Sequence, residues 1–226
     1  MDNGGNGRMG WWKKAKSKMD QKDWAVNLLL YLAGIGLMPL GVVLTVNSHL
    51  GAGGYDTLNF ALGEKLGINT SLAIYMTAFL AVVLAAVIRR KMLRLTTFIS
   101  SFFLGLFTDF WKRILAEVEG KGIVDSAVLF AAGMIIIAFA VAAYILCIFP
   151  SNPTDDLVAA MKERGVRIGI AKIGLDVVCV ALALLLGGEI GVGTVVCTLG
   201  LGPVVDVFYG WLQKIMVRHG ICVEIG

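Results

Sequence analysis

Charge is scarce in this chain. Of 226 residues, 20 are Lys or Arg and 16 are Asp or Glu, 16% in all. Ordinary soluble domains carry about 25% charged and about 45–50% apolar residues. Here 58% are hydrophobic and the mean hydropathy is +0.80, which excludes an ordinary soluble fold and a disordered or collagenous chain. Cysteine is scarce too. Cys147, Cys179, Cys197 and Cys222 form no Cys-x-x-Cys pair and three lie in apolar stretches, so buried free thiols are expected rather than a disulfide framework or a metal site. The two histidines, His49 and His219, lie outside the apolar runs. His-Glu-x-x-His, Gly-x-Ser-x-Gly and the P-loop pattern are absent, so no enzyme activity and no cofactor are expected.

What is there is apolar sequence in long runs: 24–46, 72–88, 95–111, 126–149, 173–187 and 190–212. A hydrocarbon core about 30 Å thick takes about 20 residues of helix, so all six runs read as transmembrane helices, the fifth being the shortest. The first is too long for a signal-peptide core and lacks a small-residue cleavage site. Two segments of about ten residues, Thr57–Leu66 and Asp156–Arg164, are amphipathic and too short to span. Each reads as an interfacial or re-entrant helix.

The net charge of +4 is distributed in short basic clusters between the runs. That pattern sets topology in a bilayer and does not indicate nucleic acid. The N-terminal arm, Arg89-Arg90-Lys91 with Arg94, the 162–172 segment and Lys214 with Arg218 all fall on one side if six helices alternate. On the other side Lys65, Lys112, Arg113 and Lys121 are diluted by Asp56, Glu64, Glu117 and Glu119. The positive-inside rule then places both termini in the cytoplasm of a bacterial inner-membrane protein. Trp11, Trp12, Trp24, Trp111 and Trp211 precede the first run or end a run, as interfacial rings do. The expected organisation is a basic arm at 1–23, two halves at 24–120 and 121–216, and a tail at 217–226.

The halves repeat. A shift of 99 residues brings Ala33-Gly34 onto Ala132-Gly133, Asp56 onto Asp155, Leu58 onto Leu157 and Glu64-Lys65 onto Glu163-Arg164. A shift of 98 brings Gly67 onto Gly165, and a shift of 97 brings Thr97, Gly105 and Asp109 onto Thr194, Gly202 and Asp206. Each half has three spans with a short helix after the first. An odd number of spans makes the second half enter from the opposite face. The fold class expected is therefore an all-α membrane protein of six transmembrane helices in two inverted-topology repeats, an architecture characteristic of secondary transporters.

The runs HLGAGGYDTLNFALGEKLGI at 49–68 and GVGTVVCTLGLGPVVDVF at 191–208 resemble the bacterial YczE/YyaS/YitT family of integral membrane proteins. The likeness extends over most of residues 24–215. It departs at Gly54-Tyr55-Asp56, where Pro-Trp-Asp is more usual. The resemblance implies a membrane location and points toward transport, without a substrate or established functional residues.

Ionisable groups inside a membrane are costly and mark candidate sites. Asp109 and Asp206 are repeat mates at mirrored depths, readable as acidic gates or as partners of Arg113 and Lys214. Asp56 and Asp155 sit where helix N-caps belong, after turns rich in glycine and proline. They either cap the short helices or line a solute path. Asn47, His49 and Asn59 flank the first turn. Lys172 and Asp176, four apart, can neutralise each other on one helical face. Pro39, Gly105, Gly200, Gly202 and Pro203 are expected to interrupt their helices, while Gly34, Gly36 and Gly41 fit close packing. The candidate substrate-lining set is Asp56, Asn59, Thr97, Asp109, Asp155, Thr194 and Asp206.

The expected function is movement of a small solute by alternating access. The lipid bilayer and an unassigned small molecule or ion are the expected partners, a homo-oligomer is left open, and no metal is assigned. The alternatives are a substrate-binding membrane subunit that needs an energising partner and a non-transporting accessory protein.

Overall fold

The computed structural model describes residues 21–90, 92, 96–147, 149, 152–166, 168–188 and 190–218. Residues 1–20 of the basic arm, the end of the tail, Trp11, Trp12, Cys222, His219 and the Lys172 side chain lie outside the described residues, and 21–23 open the first helix. Among those described there are eight helices and no strand: α1 Gln21–Asn47, α2 Gly54–Leu66, α3 Thr70–Arg89, α4 Thr96–Ile114, α5 Ile123–Ile145, α6 Pro153–Glu163, α7 Ile168–Leu186 and α8 Val192–Arg218. All six apolar runs are helical. α1, α3, α5 and α8 are long and apolar enough to cross a bilayer. Leu29, Val87, Leu185 and Val207 are among many large apolar side chains left on the outside. Lipid, not water, is the solvent that suits them.

The centre of the molecule is the crossing of α1 and α5. Gly41 and Gly133 meet there backbone to backbone. A Cβ on Gly41 would stand 2.7 Å from the Gly133 carbonyl oxygen, and one on Gly133 would stand 2.7 Å from the Gly41 carbonyl oxygen. Gly34 is as tight against Ala140, at 2.8 Å. Small residues let the backbones approach in this way. Gly36 has no such neighbour. Around this crossing α4 packs on α1 and α8 on α5, while α2 packs on α7 and α3 on α6. Each short helix therefore lies against a long helix of the other half.

Three local expectations are corrected. Pro39 and Pro203 lie inside continuous helices, so α1 and α8 are not broken there. One turn before Pro39 the Gly36 carbonyl accepts the Trp111 indole N–H at 2.9 Å. Gly105 does not interrupt α4 either: a Cβ there would meet the Tyr75 ring at 2.5 Å, so its smallness seats a neighbour. Asp56 and Asp155 are not N-caps. Each is the third residue of its helix, and α2 is capped by Gly53.

Candidate functional site at the meeting of the two short helices

α1 ends at Asn47, and the chain then turns back into the bundle. His49 adopts φ 58 and Gly51 φ 109. The left-handed region is costly for a residue with a Cβ, so His49 is held there by its surroundings. The Asn47 amide ties the turn down, donating to the carbonyls of Leu115 at 2.9 Å and Val118 at 2.8 Å. Leu50 reaches the start of α8, where its carbonyl accepts the Gly193 N–H at 2.6 Å. Gly51 lies directly against the Thr194 hydroxyl, leaving no room for a side chain.

α2 therefore begins deep in the molecule. A cavity of about 20 Å³ is lined by Met38, Pro39 and Val42 from the middle of α1, and by Tyr55, Asp56 and Asn59 from the first turns of α2. Thr108 of α4 and Asn152 at the start of α6 complete its polar lining. The starts of both short helices thus meet beside the middle of α1. Both are built alike: the Gly53 carbonyl accepts the Thr57 N–H at 2.8 Å, and the Asn152 carbonyl accepts the Asp156 N–H at 3.0 Å.

Several hydrogen bonds hold this centre. The Tyr144 hydroxyl of α5 donates to Asp155 Oδ2 at 2.5 Å. Asn59 Nδ2 donates to the Tyr55 carbonyl at 2.9 Å, and Thr77 Oγ1 donates to Asn59 Oδ1 at 2.6 Å. The Tyr55 hydroxyl lies 3.0 Å from the same Thr77 oxygen. Thr108 donates its proton to the Leu104 carbonyl at 2.7 Å. Asn152 Oδ1 is buried and has no hydrogen-bond partner.

At one end of the bundle a second cavity, of about 430 Å³, is lined by Val46, His49, Thr57, Phe60, Glu64 and Lys112, among others. Lys112 Nζ donates to Thr70 Oγ1 at 2.8 Å and lies 4.9 Å from the centre of the Phe60 ring. At the other end of α3 the packing is closed by an ion triad. Arg89 Nη1 donates to Asp156 Oδ2 at 2.6 Å, Nη2 to the Asp156 carbonyl at 2.9 Å and Nε to Glu163 Oε1 at 3.1 Å. The Arg89 and Asp156 side chains are only 3% and 7% exposed. Sequence reading assigns Arg89 to a solvated basic loop; the structure buries it between the halves. Its position at the very end of an apolar run is the one signal that could have singled it out.

Of the candidate residues, Asp56 and Asn59 line the central cavity and Asp155 joins the same region through Tyr144. Thr194 stands apart, buried under the Gly51 turn with its hydroxyl unpartnered. Thr97 is buried in α4. Asp109 accepts from the Ser71 backbone N–H at 3.2 Å and the Ser71 hydroxyl at 2.5 Å, which caps the start of α3. Its repeat mate Asp206 is exposed on α8. Asp176 is buried on α7.

A family model described as a family of unknown function, DUF6198, matches residues 25–210. The chain belongs to this family. Relatives of the family member include YyaS, an uncharacterised Bacillus subtilis protein, at 25% identity over 193 residues, covering 84% of this chain and 94% of the relative. YczE of the same organism, described as a membrane protein, is 23% identical over 184 residues, covering 80% and 85%. An uncharacterised Haemophilus influenzae protein is 25% identical over 216 residues, covering 90% and 96%. No solved structure matches. The apolar helices and the YczE relationship agree that this DUF6198 member is a membrane protein.

Proposed function

We propose that the chain is an inner-membrane transporter of a small solute, built from two inverted repeats that alternate access around the meeting point of α2 and α6. The observation that carries this reading is the convergence of the two short-helix starts, with Asp56 and Asn152, on one cavity beside Pro39. Half-helices that begin inside the membrane put polar groups where a solute can use them, and such starts recur at transporter sites. The 430 Å³ cavity is within the ordinary range for a ligand pocket.

The repeat is supported by the contacts. A twofold relation requires that if residue i of one half touches j of the other, the mates of i and j also touch. At a shift of 99, Gly34 corresponds to Gly133 and Gly41 to Ala140. The Gly34–Ala140 contact then maps onto Gly133–Gly41, and Gly34–Tyr144 maps onto Gly133–Thr45; all four are close contacts. The α2–α7 packing maps onto α6–α3, and α1–α4 onto α5–α8. Left-handed residues recur at the sequence shifts: Gly67 (φ 64) with Gly165 (φ 90), and Arg90 (φ 52) with Gly187 (φ 87). At about 1.5 Å per residue, the 19 residues of α4 and of α7 rise about 28 Å, close to the hydrocarbon thickness. In this reading they are the third and fifth of six spans, and both termini are cytoplasmic.

The two ends differ in a way that suits one state of a transport cycle. The Arg89 triad seals the cytoplasmic end, where α3 meets α6. At the opposite end, just past α7, Gly188 packs against Ala61 of α2 without charge, and the larger cavity lies there. In this reading the chain catalyses no reaction, and its partners are lipid and the transported solute.

Thiol accessibility in membranes tests alternating access without knowing the solute. Val46→Cys reports on the outer cavity and Leu157→Cys on the sealed inner face. Adding Arg89→Ala is expected to raise labelling at position 157 and lower it at position 46. A rise at 157 with no change at 46 would mean local fraying and would overturn the reading.

A further inference from the structure

We infer that the larger cavity is a binding site for a small zwitterion, a molecule that carries an ammonium and a carboxylate on one short carbon frame, as an α-amino acid does. The first observation is a missing guanidinium. At the sealed end Arg89 binds both Asp156 and Glu163, which stand two turns apart on one face of α6. At the shift of 99 these two correspond to Thr57 and Glu64 of α2, and both line the larger cavity. At the shift of 97, which brings Arg90 onto Gly187, Arg89 corresponds to Leu186. The mated face of α2 therefore borders about 430 Å³ of open space where the face of α6 holds a cation.

The second is a pair of opposite charges that do not meet. Glu64 and Lys112 both line the cavity, yet neither forms an ion pair among the described residues. Lys112 Nζ donates to the Thr70 hydroxyl and lies over the Phe60 ring. An ammonium has three N–H donors, so capacity for a carboxylate remains. Asp109, one turn before Lys112, is engaged by Ser71. Glu64 stands one turn beyond Phe60 on the same face of α2. It lies in the last turn of that helix, where the helix end adds partial negative charge. That end of the cavity favours an ammonium, and the side held by Lys112 favours a carboxylate.

The third is what such a lining selects. A solute with an ammonium alone would leave Lys112 without a counter-charge, and one with a carboxylate alone would leave Glu64 without one. A zwitterion supplies both, through charge-assisted hydrogen bonds at each end. Val46, Phe60 and Ile68 add an apolar wall, and pockets of this size pair such walls with a few placed polar groups. The correspondence with the Arg89 triad, and the role of the zwitterion as transported solute, rest on the transport reading above. Its binding rests on the two charges that share the cavity.

The test uses the purified full-length protein in detergent at neutral pH and constant ionic strength, with thermal unfolding followed by intrinsic tryptophan fluorescence. Glycine, L-leucine and L-phenylalanine are titrated, each beside its two single-charge analogues. For leucine these are isocaproate, which lacks the ammonium, and isoamylamine, which lacks the carboxylate. At least one of the three zwitterions is expected to raise Tm saturably, with a midpoint at least about tenfold below that of either analogue. Glu64→Gln and Lys112→Gln are each expected to raise that midpoint at least about tenfold, and a cooperative unfolding transition shows that each variant folds. If no zwitterion outperforms its analogues in the unsubstituted protein, the inference fails. If either folded variant keeps the full response, that charge does not hold the ligand and the inference fails. Zwitterion binding with unchanged thiol labelling in the Arg89→Ala experiment would overturn the transport reading and leave the site standing. The expected labelling shifts without zwitterion binding would do the reverse.

Discussion

The guanidinium of Arg89, at the end of α3, forks onto Asp156 in the first turn of α6, 67 residues further along the chain. The pair is almost fully enclosed. Removing one member leaves the other charge buried without compensation, which typically costs about 3–5 kcal/mol. Arg89→Ala is therefore expected to lower the Tm of the detergent-solubilised protein substantially. Arg89→Lys is expected to recover part of the loss, since it keeps the charge but not the bidentate geometry. Equal Tm values for all three proteins would show that the clamp is not a stability element.

The crossing of α1 and α5 depends on absent side chains. In Gly41→Ala a methyl would be forced to 2.7 Å from both the Gly133 carbonyl oxygen and Ile137 Cγ1. Overpacking of this kind costs about 1–3 kcal/mol, and Gly133→Ala is expected to do the same. Gly174→Ala, inside α7, is the control, since nothing lies within 4 Å of the added methyl. There the gain in helix propensity is expected to stabilise by about 0.5–1 kcal/mol. Unfolding midpoints of the three variants check the contrast.

Asp109 and Ser71 act through one contact. Asp109→Ala removes both bonds to Ser71, at a cost of about 0.5–2 kcal/mol by analogy with helix caps. Ser71→Ala removes only the hydroxyl bond. The double variant is expected to lose no more than Asp109→Ala alone, because coupled residues are not additive. Fully additive losses in unfolding measurements would place the role of Asp109 elsewhere.

Three thiols are expected to be silent. Cys147, Cys179 and Cys197 are buried and none is in a disulfide. The thiolate is the reactive form, so at neutral pH maleimide is expected to leave all three unlabelled in a Cys222→Ser background. All three should label once the protein is unfolded in SDS. Mass spectrometry of the folded and unfolded samples decides the matter.

Much of the fold was legible from residue order. All six apolar runs are helices, with ends within a few residues of the hydropathy boundaries apart from α7 and α8, which extend five or six residues further at one end. The two short helices are where amphipathic segments between runs placed them. Gly34 and Gly41 were readable as packing glycines. Asp56, Asn59 and Asp155 were readable as candidates because carboxylates and amides beside glycine and proline turns are conspicuous in an apolar chain.

The centre of the candidate site was less legible. Asn152 lies between prolines with no motif to mark it, Thr108 and Tyr144 carry no signal in the sequence, and Arg89 reads as one member of a basic cluster. Asp109 and Asp206 looked like a mirrored pair; one caps α3 through Ser71 and the other is exposed. The difference has a physical origin. Transfer of side chains into an apolar phase is nearly additive along the chain, so composition and period alone determined that this is a membrane-embedded bundle and where its helices run. Which polar groups meet is decided by how closely α1 and α5 cross and how far the short helices reach back into the bundle. Those distances follow from packing between residues about a hundred positions apart, and only the tertiary structure brings Asp56, Thr108 and Asn152 around one cavity.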